Sequence, residues 1–307
     1  MLERRKLNHP PANVVYQIDG AAYGLDDGLA AAIKDSIRRR LESKTLEIPR
    51  LPQVAGRILE LARNPSTDLD DIVKALTTDA VLVARILTVA NSAAFGTGQP
   101  ISGLHPAVMR LGSRTVEDMV FAESIRLKIF SVRSYRPLLQ QSWQLSLATA
   151  IACEALSKAT GLERDGAFLL GLLHDTGKPV LVLAISEYER QNHGQSLGQD
   201  MVEILLSQLH EEIGAYVLER WGMAESIVGA AGAHHAYRGP GHATPAQQLV
   251  HAGNLICQHL GIGDVQRDIN FTVEHAFADL NLADTDRIEP ILETVTRELE
   301  SLMVGLD

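Results

Sequence analysis

A chain of 307 residues with a hydrophobic fraction of 46% can bury a substantial core without disulfide staples. Its two cysteines, Cys153 and Cys257, fall in widely separated apolar helical patterns, which form no disulfide framework and point to a reducing cytoplasm. A formal net charge of -10 opposes phosphate backbones and anionic headgroups and makes nucleic acid a poor partner. No signal-peptide pattern and no run of ~18 uncharged apolar residues is read, so neither export nor membrane insertion is expected.

Residues 1–44 read as an N-terminal extension or connector. They combine Pro10 and Pro11, a strand-like run over 13–18, a turn-rich AYGLDDG and an amphipathic helix, in which Arg38, Arg39 and Arg40 with acidic neighbours make a solvated face. Residues 45–138 read as a first helical subdomain. In LPQVAGRILELAR, Leu51, Val54, Ile58 and Leu61 recur at three- and four-residue spacing and mark one buried face. Asn64-Pro65 stops that helix, and Ser66 and Thr67 can cap the next, DLDDIVKALTT, whose early acids suit the positive end of the helix dipole. Thr78-Asp79 opens AVLVARILTVANSAAF. After the loop 96–100, HPAVMRL ends at Gly112, and Ser113 begins a longer helix running to Phe130.

The loop at Arg136-Pro137 marks the expected boundary with a second subdomain, 139–262. There SWQLSLATAIACEALSKATG runs as a long helix to Gly161, followed by helices around AFLLGLLHD, QDMVEILLSQLHEEIGAYVLERWG, AESIVGAAGAHH and PAQQLVHAGNLICQHLG. Residues 263–307 add C-terminal helices expected to pack on that part. The last carries Ile291, Leu292, Val295, Leu299 and Leu302 on one face, able to pack in cis or to pair two chains as a homodimer. With no repeat and no spacing for a parallel sheet, the expected fold is all-α, two orthogonally packed helical subdomains.

The chemistry concentrates in LLHDTGK, where His174 and Asp175 emerge together from an apolar helix end. A buried carboxylate needs a partner, and an imidazole beside it suits iron, manganese, nickel or zinc. Lys178 is placed to approach a phosphate, and Gly177 to let the chain leave the helix. The alternative is a buried histidine hydrogen-bonded to its own aspartate. His210, His234 and His235 fall near ends of helical segments, where side chains from different helices can converge. GLLHDTGK is no phosphate loop, because its glycine spacing is one residue too long and Pro179 follows the lysine.

The order HDTGK, then H-x-x-IG, then HH resembles the HD superfamily of metal-dependent phosphohydrolases. The span from LPQVAGRIL through ANSAAFG and AVMRLGSRTVEDMV to LLGLLHDTGK resembles more closely the HDOD family, the HD-related output domain of bacterial signalling proteins. The resemblance implies a second subdomain that is HD-like and a metal held by a histidine on an earlier helix, the HD pair and a later aspartate, with extra histidines in the diphosphoesterase branch. The earlier position falls at Leu145 and the later one at Asn254, neither a good donor for a dication. The glycine-tyrosine-proline turn that follows HH in the cyclic-dinucleotide phosphodiesterases is replaced by residues 238–242, RGPGH.

What remains is His174, Asp175, His210, His234 and His235 as a remnant metal site, Lys178 as a phosphate-binding candidate, and His251 as a substitute for a lost ligand. The expected function is a non-catalytic output or regulatory module of the kind that serves response-regulator systems, partnered by a separate sensor or receiver chain. It would need no cofactor, or hold a divalent metal at low occupancy. The alternative is a metal-dependent phosphohydrolase acting on a nucleotide or cyclic dinucleotide.

Overall fold

The computed structural model describes residues 27–49, 53–62, 64, 67–91, 99–113, 115–120, 132–163, 166–192, 196–237, 243–263 and 266–303. The strand-like run 13–18, most of ANSAAFG, the second half of the helix after Ser113 and the turn 238–242 lie outside them. Among the described residues every regular element is a helix and none is a strand. The chain is all-α.

The order is α1 (Asp27–Glu42), α2 (Gln53–Ala62), α3 (Leu69–Leu76), α4 (Ala80–Ala90), α5 (Leu104–Leu111), α6 (115–120), α7 (Arg136–Thr160), α8 (Ala167–Leu173), α9 (Gly177–Gln191), α10 (Gln199–Arg220), α11 (Glu225–Ala233), α12 (Pro245–His259), α13 (His275–Asp279) and α14 (Thr285–Met303). The cap of α3 is Asp68 rather than Ser66 or Thr67. Its carboxylate accepts from Asp71 N, Asp71 answers at the Asp68 N–H, and Thr67 instead donates back to Leu61 O at 2.7 Å. Arg136-Pro137 is the first turn of α7, not a loop, because proline at that position forfeits no hydrogen bond. Gly161, at φ 79°, closes α7 in the left-handed conformation.

Among the described residues, three apolar clusters hold the helices. Helices α2 to α6 enclose one around Ile58, Leu76, Ile86, Val108 and Val116. A second, around Ile151, Leu156, Leu170, Ile256 and Phe277, joins α7, α8, α11, α12, α13 and α14. The third joins α1, α9 and α10 through Ile33, Ile37, Leu181, Ile185, Leu205 and Leu209. At ~1.5–3 kcal/mol for each fully buried aliphatic side chain, these clusters rather than intrinsic helix propensity hold the packing. The amphipathic face of α14 packs in cis against α7, with Ile288, Ile291 and Val295 buried.

The run Ala167–Gln191 has the length and composition to cross a membrane, which amends the sequence expectation. It is two helices, α8 and α9, joined by the turn at residues 174–176, and 78% of its most apolar window is buried inside the fold. Its hydrophobicity belongs to a core helix pair. Cys153 and Cys257 are both buried and free.

Candidate metal centre

Two glycines decide where the HDT turn sits. At Gly171 an added Cβ would lie 2.4 Å from Thr149 O, so α8 crosses α7 with backbones nearly touching. At Gly177, the first residue of α9, a Cβ would lie 1.8 Å from His210 O and 2.7 Å from Gly214 N. Only glycine permits that approach. The contacts of Gly214 and Gly232 with Ala231 and Ala215 then bring α11 onto α10. His210 is therefore not at a helix end but mid-way along α10, and it reaches the cluster because α10 is closest to α9 there. His174 and His234 do follow the last residues of α8 and α11.

The side chains of His174, Asp175, His210 and His234 are almost fully buried and converge. Each of the three rings turns Nδ1 to a carbonyl on its own preceding turn: His174 to Gly171 O at 2.6 Å, His210 to Leu206 O at 2.7 Å and His234 to Ala231 O at 3.1 Å. A carbonyl can only accept, so in the neutral rings Nδ1 carries the hydrogen and Nε2 is a bare lone pair. Those lone pairs face Asp175. His174 Nε2 lies 3.4 Å from Oδ2, and His210 and His234 Nε2 lie 3.6 and 3.5 Å from Oδ1. His210 and His234 Nε2 are 3.3 Å apart.

Acceptors crowded against acceptors form a donor set that a cation placed between them would satisfy. His174 Nε2 and Asp175 Oδ1 are also buried without any hydrogen-bond partner. A tetrahedral dication with metal–nitrogen bonds of about 2.0–2.1 Å holds its donors about 3.4 Å apart, close to the observed spacings. The backbone carbonyls behind each Nδ1 are the support that orients ligating imidazoles. The residues present thus fit a borderline dication, and among the described residues two triads qualify: His174, Asp175 and His234, or His210, His234 and His235.

The other predicted residues fall as follows. Lys178 donates to Asp175 Oδ2 at 2.6 Å, on the opposite oxygen from His210 and His234. His235 is exposed, its backbone N–H held by Glu211 Oε1 at 2.9 Å and its ring tilted onto His234 at 4.2 Å between centroids. His251 stacks on Tyr237 at 4.7 Å and hydrogen-bonds to the backbone of His234, so it braces the histidine pair from behind. Leu145 lies against Gly263, and the side-chain oxygen of Asn254 accepts from Thr149 Oγ1 at 2.9 Å. Sequence reading missed Glu211, Thr149 and the Tyr237 to Asp279 hydrogen bond. Of these only Glu211 carried a signal, as a carboxylate next to a candidate ligand.

Burial pushes the His210 imidazole down from 6.5 to about 4, helped by Lys178 and His234 against the pull of Asp175. Burial raises the Asp175 carboxyl, but the ammonium of Lys178 leads the opposing causes, and the group is held well below its ordinary value. Both shifts have the same sign for folding. Between pH 6.5 and 4 the unfolded chain binds the His210 proton and the folded one does not, so stability rises with pH across that window. Metal-free protein is therefore expected to lose up to about 3 kcal/mol from His210 alone as pH falls from 7 to 4, readable as a falling Tm. A Tm flat over that range would contradict the buried, neutral imidazole.

The comparisons agree with this architecture. The HDOD domain matches residues 48–237. An uncharacterized protein of Treponema pallidum (strain Nichols) is 27% identical over 217 residues, which cover 67% of this chain; the chain spans 40% of that relative's length. Among solved structures, a protein of Shewanella amazonensis SB2B named for a suspected metal-dependent phosphohydrolase superposes with a TM-score of 0.72 at 19% identity, over 90% of this chain and 99% of its own. An HDOD domain protein with unknown function from Geobacter sulfurreducens gives 0.64 at 21% identity, over 89% and 97%. A candidate signal-transduction protein from Marinobacter aquaeolei VT8 gives 0.63 at 23% identity, over 93% and 67%. At such identities the structures speak for the fold alone. The family match covers well over half of the chain and includes every helix that contributes to the histidine–aspartate cluster, and on that ground this protein belongs to the HDOD family.

Proposed function

We propose that this protein is a non-catalytic regulatory module of cytoplasmic bacterial signal transduction whose histidine–aspartate centre holds at most one dication, in a structural role. The observation that carries this reading is Lys178 Nζ at 2.6 Å from Asp175 Oδ2. In a two-metal hydrolase the HD carboxylate bridges both ions, and the pair clamps the attacking and leaving oxygens. Here an ammonium already takes one of its oxygens. His234 adds a second restriction, because both candidate triads need it and its Nε2 has a single lone pair to give. Leu145 brings no donor, and Asn254 is engaged with Thr149.

When bound, a dication would supply positive charge to the facing lone pairs. His234 would hold it either with His174 and Asp175, tying α11 to the turn after α8, or with His210 and His235, tying α11 to α10. Glu211, through the backbone of His235, would keep the histidine pair in register. Lys178 would neutralise Asp175 rather than meet a phosphate. The state of a separate sensor or receiver chain would then pass to a downstream partner through the packing of the helices that this centre joins.

Metal analysis of protein purified without chelator, with phosphodiesterase assays in manganese and in iron, tests the reading. No more than one dication per chain and no turnover of a cyclic dinucleotide or a bis-aryl phosphate are expected. Two ions per chain together with turnover would replace it with the phosphohydrolase.

A further inference from the structure

Helix α1 stands before the span that the HDOD family shares, yet it is docked on α9, which carries Lys178, and on α10, which carries His210 and Glu211. Its Ile33, Ile37 and Leu41 are buried in the cluster formed with α9 and α10. Its polar flank grips both. Arg40 reaches Glu187 on α9 at 2.8 Å, while Lys34 donates to Gln208 at 2.9 Å and Arg38 meets Glu212 at 3.2 Å on α10.

Gln208 and Glu212 bracket His210 and Glu211, the two residues of α10 that face the centre. Leu206, whose carbonyl fixes the His210 ring, and Leu209 belong to the same apolar cluster as Ile33 and Ile37. A basic, amphipathic helix thus clasps the one turn of α10 that sets where a metal ligand points. Nothing in the cluster itself requires that clasp. The glycine crossings of α8, α9, α10 and α11 already bring the ligands together.

We propose that α1 is a regulatory strap: its docking sets the order of the His210 turn, and its release weakens metal binding at the centre. The metal part of this proposal rests on the single-dication reading above. The occupant of the α9–α10 face is α1 itself. Whatever moves α1, from the residues before it or from a bound partner, would act on the centre without touching it. Energetically this is a coupling between two sites, and such couplings commonly amount to about 5- to 150-fold in affinity.

The test uses the full chain with Ile37→Glu, which puts a charge into the docking seam. Hydrogen exchange over 206–213 should accelerate at least about 10-fold, and zinc affinity by chelator competition should fall at least about 5-fold. Exchange over 249–257, on α12 away from the strap, should stay as in the parent. Arg38→Glu, with restoration by adding Glu212→Arg, gives a milder undocking should Ile37→Glu unfold the chain. Faster exchange with unchanged zinc affinity would make α1 mere cover and overturn the proposal, as would unchanged exchange in either variant. If the parent binds no metal, the metal part of the proposal fails while the reading of at most one dication stands. The strap is then judged by the ¹⁵N resonances of the His210 ring, whose indifference to undocking would overturn it.

Discussion

Gly177→Ala is expected to remove about 3–5 kcal/mol of folding stability, at the top of the range for a single substitution. The added methyl would sit 1.8 Å from His210 O and 2.7 Å from Gly214 N, both backbone atoms that no rotamer change can move aside. Relief requires α9 and α10 to separate, which opens the third apolar cluster and pulls His210 from Asp175. Since a domain's whole stability is ~5–15 kcal/mol, a large share goes with one carbon atom. Guanidinium unfolding should show a lower midpoint with the slope preserved. Gly171→Ala, aimed at Thr149 O from 2.4 Å, should behave alike. Gly229→Ala is the internal control. Nothing lies within 4 Å of its Cβ, and inside α11 it should gain about 0.5–1 kcal/mol from helix propensity and reduced unfolded-state entropy. A Gly177→Ala protein within about 1 kcal/mol of its parent would show that the close crossing of α9 and α10 is not what assembles the site.

Those glycines also mark where sequence reading stopped. The three- and four-residue recurrence of Ile58 and Leu61, or of Ile291 and Val295, announces which face of a helix is buried, because 3.6 residues per turn repeats a face every three or four positions. Periodicity within a helix says nothing about which helix covers that face. Gly177 could therefore be read as a helix exit although it is a helix start pressed against another backbone. His210 failed for a related reason. Its place on α10 is ordinary, and only the crossing at Gly214 makes it a neighbour of Asp175, which lies far away along the chain.

The membership of the cluster was more legible than its arrangement. His174, Asp175, His210 and His234 do come together, and the resemblance to a known motif order pointed to them in advance. The state of Asp175 was not legible. Four residues of sequence place Lys178 one turn beyond the HD pair, equally able to reach outward to a phosphate or back to a carboxylate. Burial decides between these: Asp175 is 1% exposed at its side chain and has no solvent to neutralise it, so the nearest ammonium turns inward.

That inward turn makes the sharpest prediction, because two substitutions one helical turn apart should move metal affinity in opposite directions. Asp175→Asn removes the buried anion that the three Nε2 atoms face and should weaken zinc binding at least about 100-fold, the carboxamide being a poor donor. Lys178→Met removes a like charge next to the ion's position. At an effective dielectric near 20, a unit charge a few ångströms away is worth several kcal/mol to a dication before relaxation, so zinc should bind about 10- to 100-fold more tightly. The metal-free proteins should order the other way. Lys178→Met strands a buried carboxylate and should lose about 3–5 kcal/mol, whereas Asp175→Asn leaves a lysine that is 19% exposed and can turn to solvent. Added zinc should therefore raise the Tm of Lys178→Met far more than that of the parent, and barely move Asp175→Asn. Charge competition at Asp175 is then the quantity measured. If both substitutions weaken zinc alike, Lys178 is orienting the carboxylate for the metal rather than competing with it, and the argument against a second ion loses its footing.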